Sequence, residues 1–120
     1  MTVTKRTLDD AEVVVMPGRS FHTLIAPWNS PAEHLSAGMS IYPAGSAPEG
    51  HVHPQEEETI YCVAGKGRIR TRDDAFEMEP GTLVHVPANT YHATESDGPG
   101  ELQLFCVFTP PVRPGSYEKG

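Results

Sequence analysis

Two histidines and a glutamate lie close together near the middle of the chain, with types and spacing that suit metal binding. His51-Val52-His53 is followed by Pro54, and four residues separate His53 from Glu58. Residues i and i+2 of a β-strand point to the same face about 6.5–7 Å apart, so both imidazoles can reach one ion. A turn at Pro54 and a second strand from Glu58 would return a carboxylate to the same point. This spacing predicts three metal ligands from one hairpin.

A fourth ligand has to come from elsewhere, and His92 is the best of the remaining histidines. It follows a predicted strand at Leu83–Val86 and a turn led by Pro87, so it would begin a returning strand. His22 and His34 lie near Phe21 and Pro31 and belong to no such spacing pattern, and we expect both at the surface. Imidazole and carboxylate ligands suit a divalent transition metal, namely Fe(II), Mn(II), Ni(II), Co(II) or Zn(II). Three histidines and one glutamate leave coordination positions open for water or substrate.

These four residues differ from polar residues that occur singly along the chain, because their spacings together form the pattern of a ligand set. A His-x-His pair by itself is most often a polar surface feature, and Glu56 and Glu57 are typical of a solvated turn. His85 lies within a predicted strand, and we interpret it as a neighbour of the site rather than a ligand. Tyr42, on the strand before the histidines, and His85 are the candidates for substrate contact or proton transfer.

Short strands separated by turns must position these residues. Glycine and proline recur along the chain, the segments between them are rich in β-branched and aromatic residues, and no window keeps a helical period. Asp73-Asp74 and Glu79-Pro80-Gly81 predict turns. Many short strands favour an all-β sandwich or barrel. The predicted strands are Glu12–Met16, Phe21–Ala26, Leu35–Tyr42, Thr59–Val63, Arg68–Arg72, Phe76–Met78, Leu83–Val86, Tyr91–Thr94 and Leu102–Phe108.

Three arginines share one face of a predicted strand. Arg68, Arg70 and Arg72 alternate with Ile69 and Thr71. We expect the arginine face to be solvated, because Ile69 and Thr71 then fill the interior. The alternative is an anion-binding row inside the barrel.

Both cysteines lie in apolar, strand-like runs, which is typical of free thiols in a reducing cytoplasm. Cys62 has the same strand parity as Glu58, and we expect it to be a small buried residue, with a place beside the cavity as the alternative. Cys106 shares a face with Leu104 and Phe108, and parity alone leaves open which face of that strand is internal.

Length and charge limit the classes of protein and partner. The chain has 120 residues, with 9 Lys+Arg against 16 Asp+Glu and a net charge of −7. One domain is expected at this length, and the negative charge disfavours nucleic acid and anionic membranes. No apolar run approaches the roughly 20 residues of a membrane span. The N-terminal residues lack the apolar core of a signal peptide, so we predict a cytoplasmic protein. The partner that we expect is a small molecule.

The histidine segment resembles the first motif of the cupin superfamily, G-x5-H-x-H-x3/4-E-x6-G. Gly45, His51, His53, Glu58 and Gly65 occupy every fixed position of that motif. The match extends over residues 45–65.

A second segment resembles the other cupin motif, G-x5-P-x-G-x2-H-x3-N. Gly81, Pro87 and His92 match it, whereas Asn89 replaces the turn glycine and Ser96 replaces the final asparagine. Asparagine tolerates the left-handed backbone conformation that glycine supplies, so we expect the turn to be kept.

The resemblance implies a single-domain, cupin-type double-stranded β-helix, a jelly-roll barrel with a metal inside and its open side at the barrel mouth. It implies the metal ligands His51, His53, Glu58 and His92. It also implies a homodimer that shares an N-terminal strand, for which Glu12–Met16 is suited. We therefore divide the chain into N-terminal strands at 1–34, which a dimer can exchange, a barrel core at 35–109 and a surface tail at 110–120.

Two classes of function fit this resemblance. The first is a metal-dependent enzyme acting on a small oxygen-rich metabolite, either as an oxygenase or as an isomerase, lyase or cyclase that uses the metal as a Lewis acid. The second is a non-catalytic module that binds a small molecule or a metal. A storage role is disfavoured, because buried histidines without an ion would be costly.

Overall fold

The computed structural model describes residues 2–119, which form strands, turns and one turn of 3₁₀ helix at Leu8–Asp10. Within this range no helix has the length and apolar character that a bilayer span requires. The strands are β1 (Glu12–Met16), β2 (Arg19–Ile25), β3 (Ser36–Tyr42), β4 (His51–Val52), β5 (Glu57–Ala64), β6 (Gly67–Arg70), β7 (Ala75–Met78), β8 (Leu83–Val86), β9 (Ala93–Ser96), β10 (Leu102–Thr109) and β11 (Glu118–Lys119).

The strands pair antiparallel in three sheets. The largest has six strands in the order β1-β2-β3-β10-β5-β8, and β7-β6-β9 and β11-β4 form the smaller two. Strand β10 lies between β3 and β5, so the last long strand closes the middle of the large sheet. This arrangement confirms the all-β jelly-roll prediction, and β1 and β8 have the predicted bounds. It also makes the N-terminal strands continuous with the barrel core through the β2–β3 pairing.

The core lies between the sheets, and alternation along β10 shows how it is filled. Leu102, Leu104, Cys106 and Phe108 are buried, whereas the residues between them are half-exposed. The face of β10 that carries Cys106 is therefore the internal one. The large apolar side chains on this face exclude water from the barrel.

The arginine face of β6 points outward, as expected. Ile69 is fully buried, while Arg68 bonds to Glu95 at 3.0 Å and to Asp97 at 2.9 Å on the surface. Strand β6 ends at Arg70, and the Asp74 carbonyl accepts the Thr71 N–H to close the predicted turn.

The C-terminal segment differs from the predicted surface tail, because it packs back over the barrel. Val112 is buried, and its N–H donates to Ser36 Oγ at 2.9 Å. The Arg113 guanidinium lies 4.2 Å from the centroid of the Trp28 ring. Strand β11 then pairs with β4. The prolines exclude only their own positions from a sheet, so residues beyond them are free to add an edge strand.

Candidate metal centre

Four side chains converge inside the barrel, two from strands β4 and β5 and two from residues just outside strands. One ligand atom from each of His51, His53, Glu58 and His92 lies within 4.8 Å of the other three. His92 Nε2 is 3.0 Å from Glu58 Oε1, and His53 Nε2 is 3.7 Å from the same oxygen. Two ligands on opposite sides of one ion, each about 2.1 Å from it, are roughly 4.2 Å apart. The cluster therefore has nearly the size of a metal coordination shell.

Backbone pairing brings the two motifs together. His51 and His92 form an antiparallel bridge in which each N–H donates to the other residue's carbonyl, at 2.9 and 3.0 Å. The Asn89 N–H donates to the His53 carbonyl at 2.8 Å, and Asn89 has a φ of 59°. The left-handed conformation expected at Asn89 is thus confirmed, and it ties the second-motif turn to the first-motif histidines.

A glycine allows the close approach that this bridge needs. A Cβ at Gly50 would collide with the ring of Tyr91 and lie 2.8 Å from the carbonyl oxygen of His92. Any larger residue at Gly50 would push β4 away from His92. The glycine beside the first histidine therefore sets the spacing of the ligands.

Unpartnered buried nitrogens show that the cluster suits a metal ion. Nδ1 of His51 and both ring nitrogens of His53 are buried and have no hydrogen-bond partner among residues 2–119. Buried polar atoms are nearly always satisfied, and leaving one unpaired costs about 1–3 kcal/mol. In contrast, both ring nitrogens of His92 have a partner. Its Nδ1 lies 3.1 Å from the Thr90 carbonyl, and its Nε2 faces Glu58 in the cluster. A backbone contact of this kind commonly orients a metal-binding histidine.

The protonation of the three histidines differs because their neighbours differ. Burial, together with the adjacent imidazoles, lowers the pKa of His51 to about 2. Burial also lowers the pKa of His53, although the charge of Glu58 opposes the effect. Burial alone would lower the pKa of His92 as well, but its hydrogen bond to Glu58 and the Thr90 carbonyl raise it overall. Two of the three imidazoles are therefore kept in the neutral form that binds metals.

The cluster opens into a cavity of about 50 Å³ with mostly apolar walls. Phe108 and Leu104 of β10 and Ile60 of β5 line it together with the ligands. The polar side chains that reach it include Tyr42, which is buried and interacts with the hydroxyls of Ser40 and Thr94. Burial raises the pKa of Tyr42, so its phenol is a hydrogen-bond donor at neutral pH.

The structure brings Tyr42 to the site and keeps His85 away from it. The His85 side chain is 53% exposed on the outer side of β8, and its Nε2 lies 2.8 Å from Glu57 Oε1. Alternation along β8 turns Val86 inward and His85 outward. Cys62 is fully buried in the core with its thiol 3.6 Å from the Ala64 carbonyl, and it does not line the cavity.

The cavity residues that were not among the sequence candidates include Cys106, Arg19 and Tyr117, whose side chains can do chemistry. Cys106 lies on the internal face of β10, where parity alone had left its orientation open. Arg19 begins β2 and shares the parity of buried Phe21, a signal that becomes useful only once the internal face is known. Tyr117 belongs to the C-terminal segment, and nothing in its local sequence indicates that it reaches the site.

Comparison with known proteins agrees with these observations. Residues 38–108 match the family model described as the Cupin domain. An uncharacterised protein of Methanocaldococcus jannaschii is 32% identical over 76 residues, which cover 63% of this chain and 61% of that protein. Quercetin 2,3-dioxygenase of Bacillus subtilis is 30% identical over 88 residues, covering 69% of this chain and 25% of the enzyme. The chain thus spans less than two thirds of the length of either relative.

A solved structure shares the fold at lower sequence identity. The polyketide cyclase of Streptomyces resistomycificus superimposes with a TM-score of 0.80 at 18% identity, covering 98% of this chain and 85% of the cyclase. This likeness concerns the barrel alone.

Proposed function

The chain belongs to the Cupin domain family, and from that premise we propose that it is a metal-dependent enzyme acting on a small oxygen-rich molecule inside the barrel. The observation that carries the proposal is the convergence of three imidazoles and one carboxylate on the wall of a cavity, with buried histidine nitrogens that have no hydrogen-bond partner among the described residues. His51, His53, Glu58 and His92 would hold the ion, which we expect to be Fe(II), Mn(II), Ni(II), Co(II) or Zn(II).

A divalent ion at this site would supply Lewis-acid chemistry toward a carbonyl, phenol or enol oxygen. The apolar walls exclude water and so strengthen the electrostatic interactions inside the cavity. We assign proton donation to Tyr42, because burial raises the pKa of its phenol and the side chain lines the same cavity. Glu58 would be engaged as a ligand, and His85 lies outside, so we assign neither a proton-transfer role.

Two reaction types deserve direct comparison, oxygenation and cyclisation. One relative is by name a quercetin 2,3-dioxygenase, and one structural neighbour is a polyketide cyclase. Both names refer to transformations of molecules rich in carbonyl or phenol oxygens. A cavity with one cation site, one phenol donor and apolar walls supports either type.

The test is a metal-resolved activity screen. The purified protein is loaded with each candidate ion, and diketones, thiols, catechols and uronates are offered while oxygen uptake and substrate loss are followed. We expect turnover of at least one class that requires the ion, is lost in His53→Ala and is kept in His34→Ala. If no compound is turned over, or if turnover is the same with and without the ion, the proposal of a metal-dependent enzyme is wrong. A binding module would then be favoured, and calorimetry with the same compounds would test it.

We also propose that the protein is a cytoplasmic homodimer. The outward face of the large sheet carries one cross-strand row of mostly apolar residues, and several of its members are exposed. Both cysteines are free and buried, which suits a reducing compartment. Light scattering during gel filtration should give the mass of two chains in wild type and of one chain in Val15→Glu, which alters the exposed edge strand β1. The row consists of Val13, His22, Met39, Phe105, Tyr61 and Leu83.

A further inference from the structure

Arg19 is a buried cation that has no acidic partner in the part of the chain that the structure describes. Its relative exposure is only 7%, and it lines the same cavity as the metal cluster. None of the ion pairs found among residues 2–119 involves it. Its hydrogen bonds go to neutral acceptors, from Nη1 to the Pro17 carbonyl at 3.0 Å and from Nη2 to the Tyr117 hydroxyl at 3.3 Å.

A guanidinium in this position still has binding capacity. It carries five N–H donors in a planar fork, and the two hydrogen bonds described leave donors available. Burial of a charge without a counter-charge is costly, whereas an arginine that meets a carboxylate forms two parallel charge-assisted bonds. Arg19 is therefore better suited to an anionic ligand than to a purely structural role.

The charges around the cavity favour the same ligand. Glu58 is the only acidic side chain among the described residues that line it. A divalent ion, the Glu58 carboxylate and the Arg19 guanidinium together leave a formal charge of about +2 in a mostly apolar enclosure, which an anion would reduce.

Tyr117 links this cation to the metal cluster. The Arg19 guanidinium carbon lies 5.5 Å from the centroid of the Tyr117 ring, and that ring lies 4.5 Å from the ring of His51. One small molecule in the cavity can thus approach the ion with one end and Arg19 with the other. The Tyr117 hydroxyl lies beside the guanidinium at the point where such a ligand would bind.

We propose that Arg19 binds a carboxylate of the substrate, so that the substrate class is small oxygen-rich carboxylic acids rather than neutral carbonyl compounds or phenols. This assignment rests on the proposed function, because it places the ligand in the cavity of the metal cluster. Arg19 acts here as a specificity-determining residue, and the ligands of the ion are separate from it.

The experiment compares two probes that differ in charge. Pyruvate and pyruvamide both offer adjacent oxygens, but only pyruvate is an anion. Their affinities for the Co(II)-loaded protein are measured by calorimetry in wild type, Arg19→Met and Arg19→Lys. Arg70→Met is the matched control, because it removes an arginine from the outer face of β6. Circular dichroism and elemental analysis establish that each variant is folded and how much cobalt it holds.

We expect wild type and Arg70→Met to bind pyruvate at least 10-fold more tightly than pyruvamide. Arg19→Met should lose that preference with its cobalt content unchanged, and Arg19→Lys should recover part of it. A preference that persists in Arg19→Met, or wild-type protein with no preference, would overturn the assignment while cobalt binding still supports the metal site. If wild type holds no cobalt, the proposed function fails, and the same comparison on metal-free protein decides whether Arg19 selects the anion.

Discussion

The ring of Tyr117 lies against the imidazole of His51, with centroids 4.5 Å apart and planes inclined by 33°. Tyr117 comes from the C-terminal segment, whose strand β11 pairs with β4, the strand that carries His51. The Tyr117 hydroxyl also accepts a hydrogen bond from Arg19 on β2. The C-terminal segment therefore covers the group of four candidate metal ligands and is held there by contacts with two strands.

Substitution of Tyr117 should open this cover. We expect Tyr117→Ala to speed the removal of bound metal by a chelator roughly 10-fold, which corresponds to about 1.4 kcal/mol in the opening of the segment. Stopped-flow measurement of metal release to EDTA checks this. Phe76→Ala, which removes an exposed aromatic side chain of β7, is the control and should leave the rate unchanged. Equal rates in wild type and Tyr117→Ala would show that the segment does not limit access.

Removal of one ligand should empty the site. His53 is buried in the cluster, whereas His34 is exposed. We expect His53→Ala to lower metal affinity by more than about 100-fold, since loss of an outer partner alone costs 10- to 100-fold. Elemental analysis after equilibration and desalting measures the metal per chain. His34→Ala should match wild type, and an equal loss in both variants would point to a different site.

Tyr42 and His85 were both candidates for proton transfer, and their substitutions should now give opposite results. Tyr42→Phe keeps the ring and removes the hydroxyl that lines the cavity, so kcat should fall by about 10²- to 10⁴-fold with metal content unchanged. His85→Ala removes an exposed side chain paired with Glu57, and kcat should not change. Steady-state kinetics on the substrate identified by the screen compares them. A large loss in His85→Ala would contradict the proton-donor assignment to Tyr42.

The metal-free protein should lose stability as the pH falls below 6.5. The pKa values of His51 and His53 are lowered in the folded chain, so below 6.5 the unfolded chain takes up protons that the folded chain does not. The pKa of His92 is raised in the folded chain, so His92 contributes stability that is fully present below pH 6.5 and is lost as the pH rises through its raised folded pKa. Its contribution is therefore constant in the acid range. The free energy of unfolding should therefore fall by on the order of 1 kcal/mol per pH unit between pH 6.5 and 5.5.

Urea denaturation at several pH values measures this slope. His53→Ala should reduce the slope, because one of the two histidines that titrate only in the unfolded chain is gone. His34→Ala should keep the wild-type slope, since His34 is exposed. A slope unchanged by His53→Ala would show that other groups cause the acid sensitivity.

Local sequence predicted most of the strands and the candidate metal ligands. The alternation in Arg68–Arg70 predicted an outward arginine face and a buried Ile69, because period-two alternation follows directly from the geometry of a strand. The spacing of His51, His53 and Glu58 is equally local, but the hairpin predicted for them is wrong. Strand β4 pairs with β11, whereas β5 pairs with β10 and β8, so the turn at Pro54 connects two different sheets.

Local sequence patterns did not predict other features of the structure. Strand parity separates the two faces of β8 and β10, but it does not say which face is internal, so His85 and Cys106 were placed only by the packing of the sheets. The C-terminal segment was expected on the surface, and its pairing with β4 depends on an edge that exists only after the barrel has closed.

The sequence by itself determined the all-β class, the turns and the three candidate ligands of the first motif, because those features depend on short-range spacing and backbone geometry. His92 was a candidate by sequence, but it meets the other three only through its long-range bridge to His51. The tertiary structure alone decided that Tyr42, Arg19 and Tyr117 share the cavity while His85 lies outside it. These residues come from strands and a segment far apart along the chain, and only the burial of apolar surface between closed sheets brings their side chains to one place.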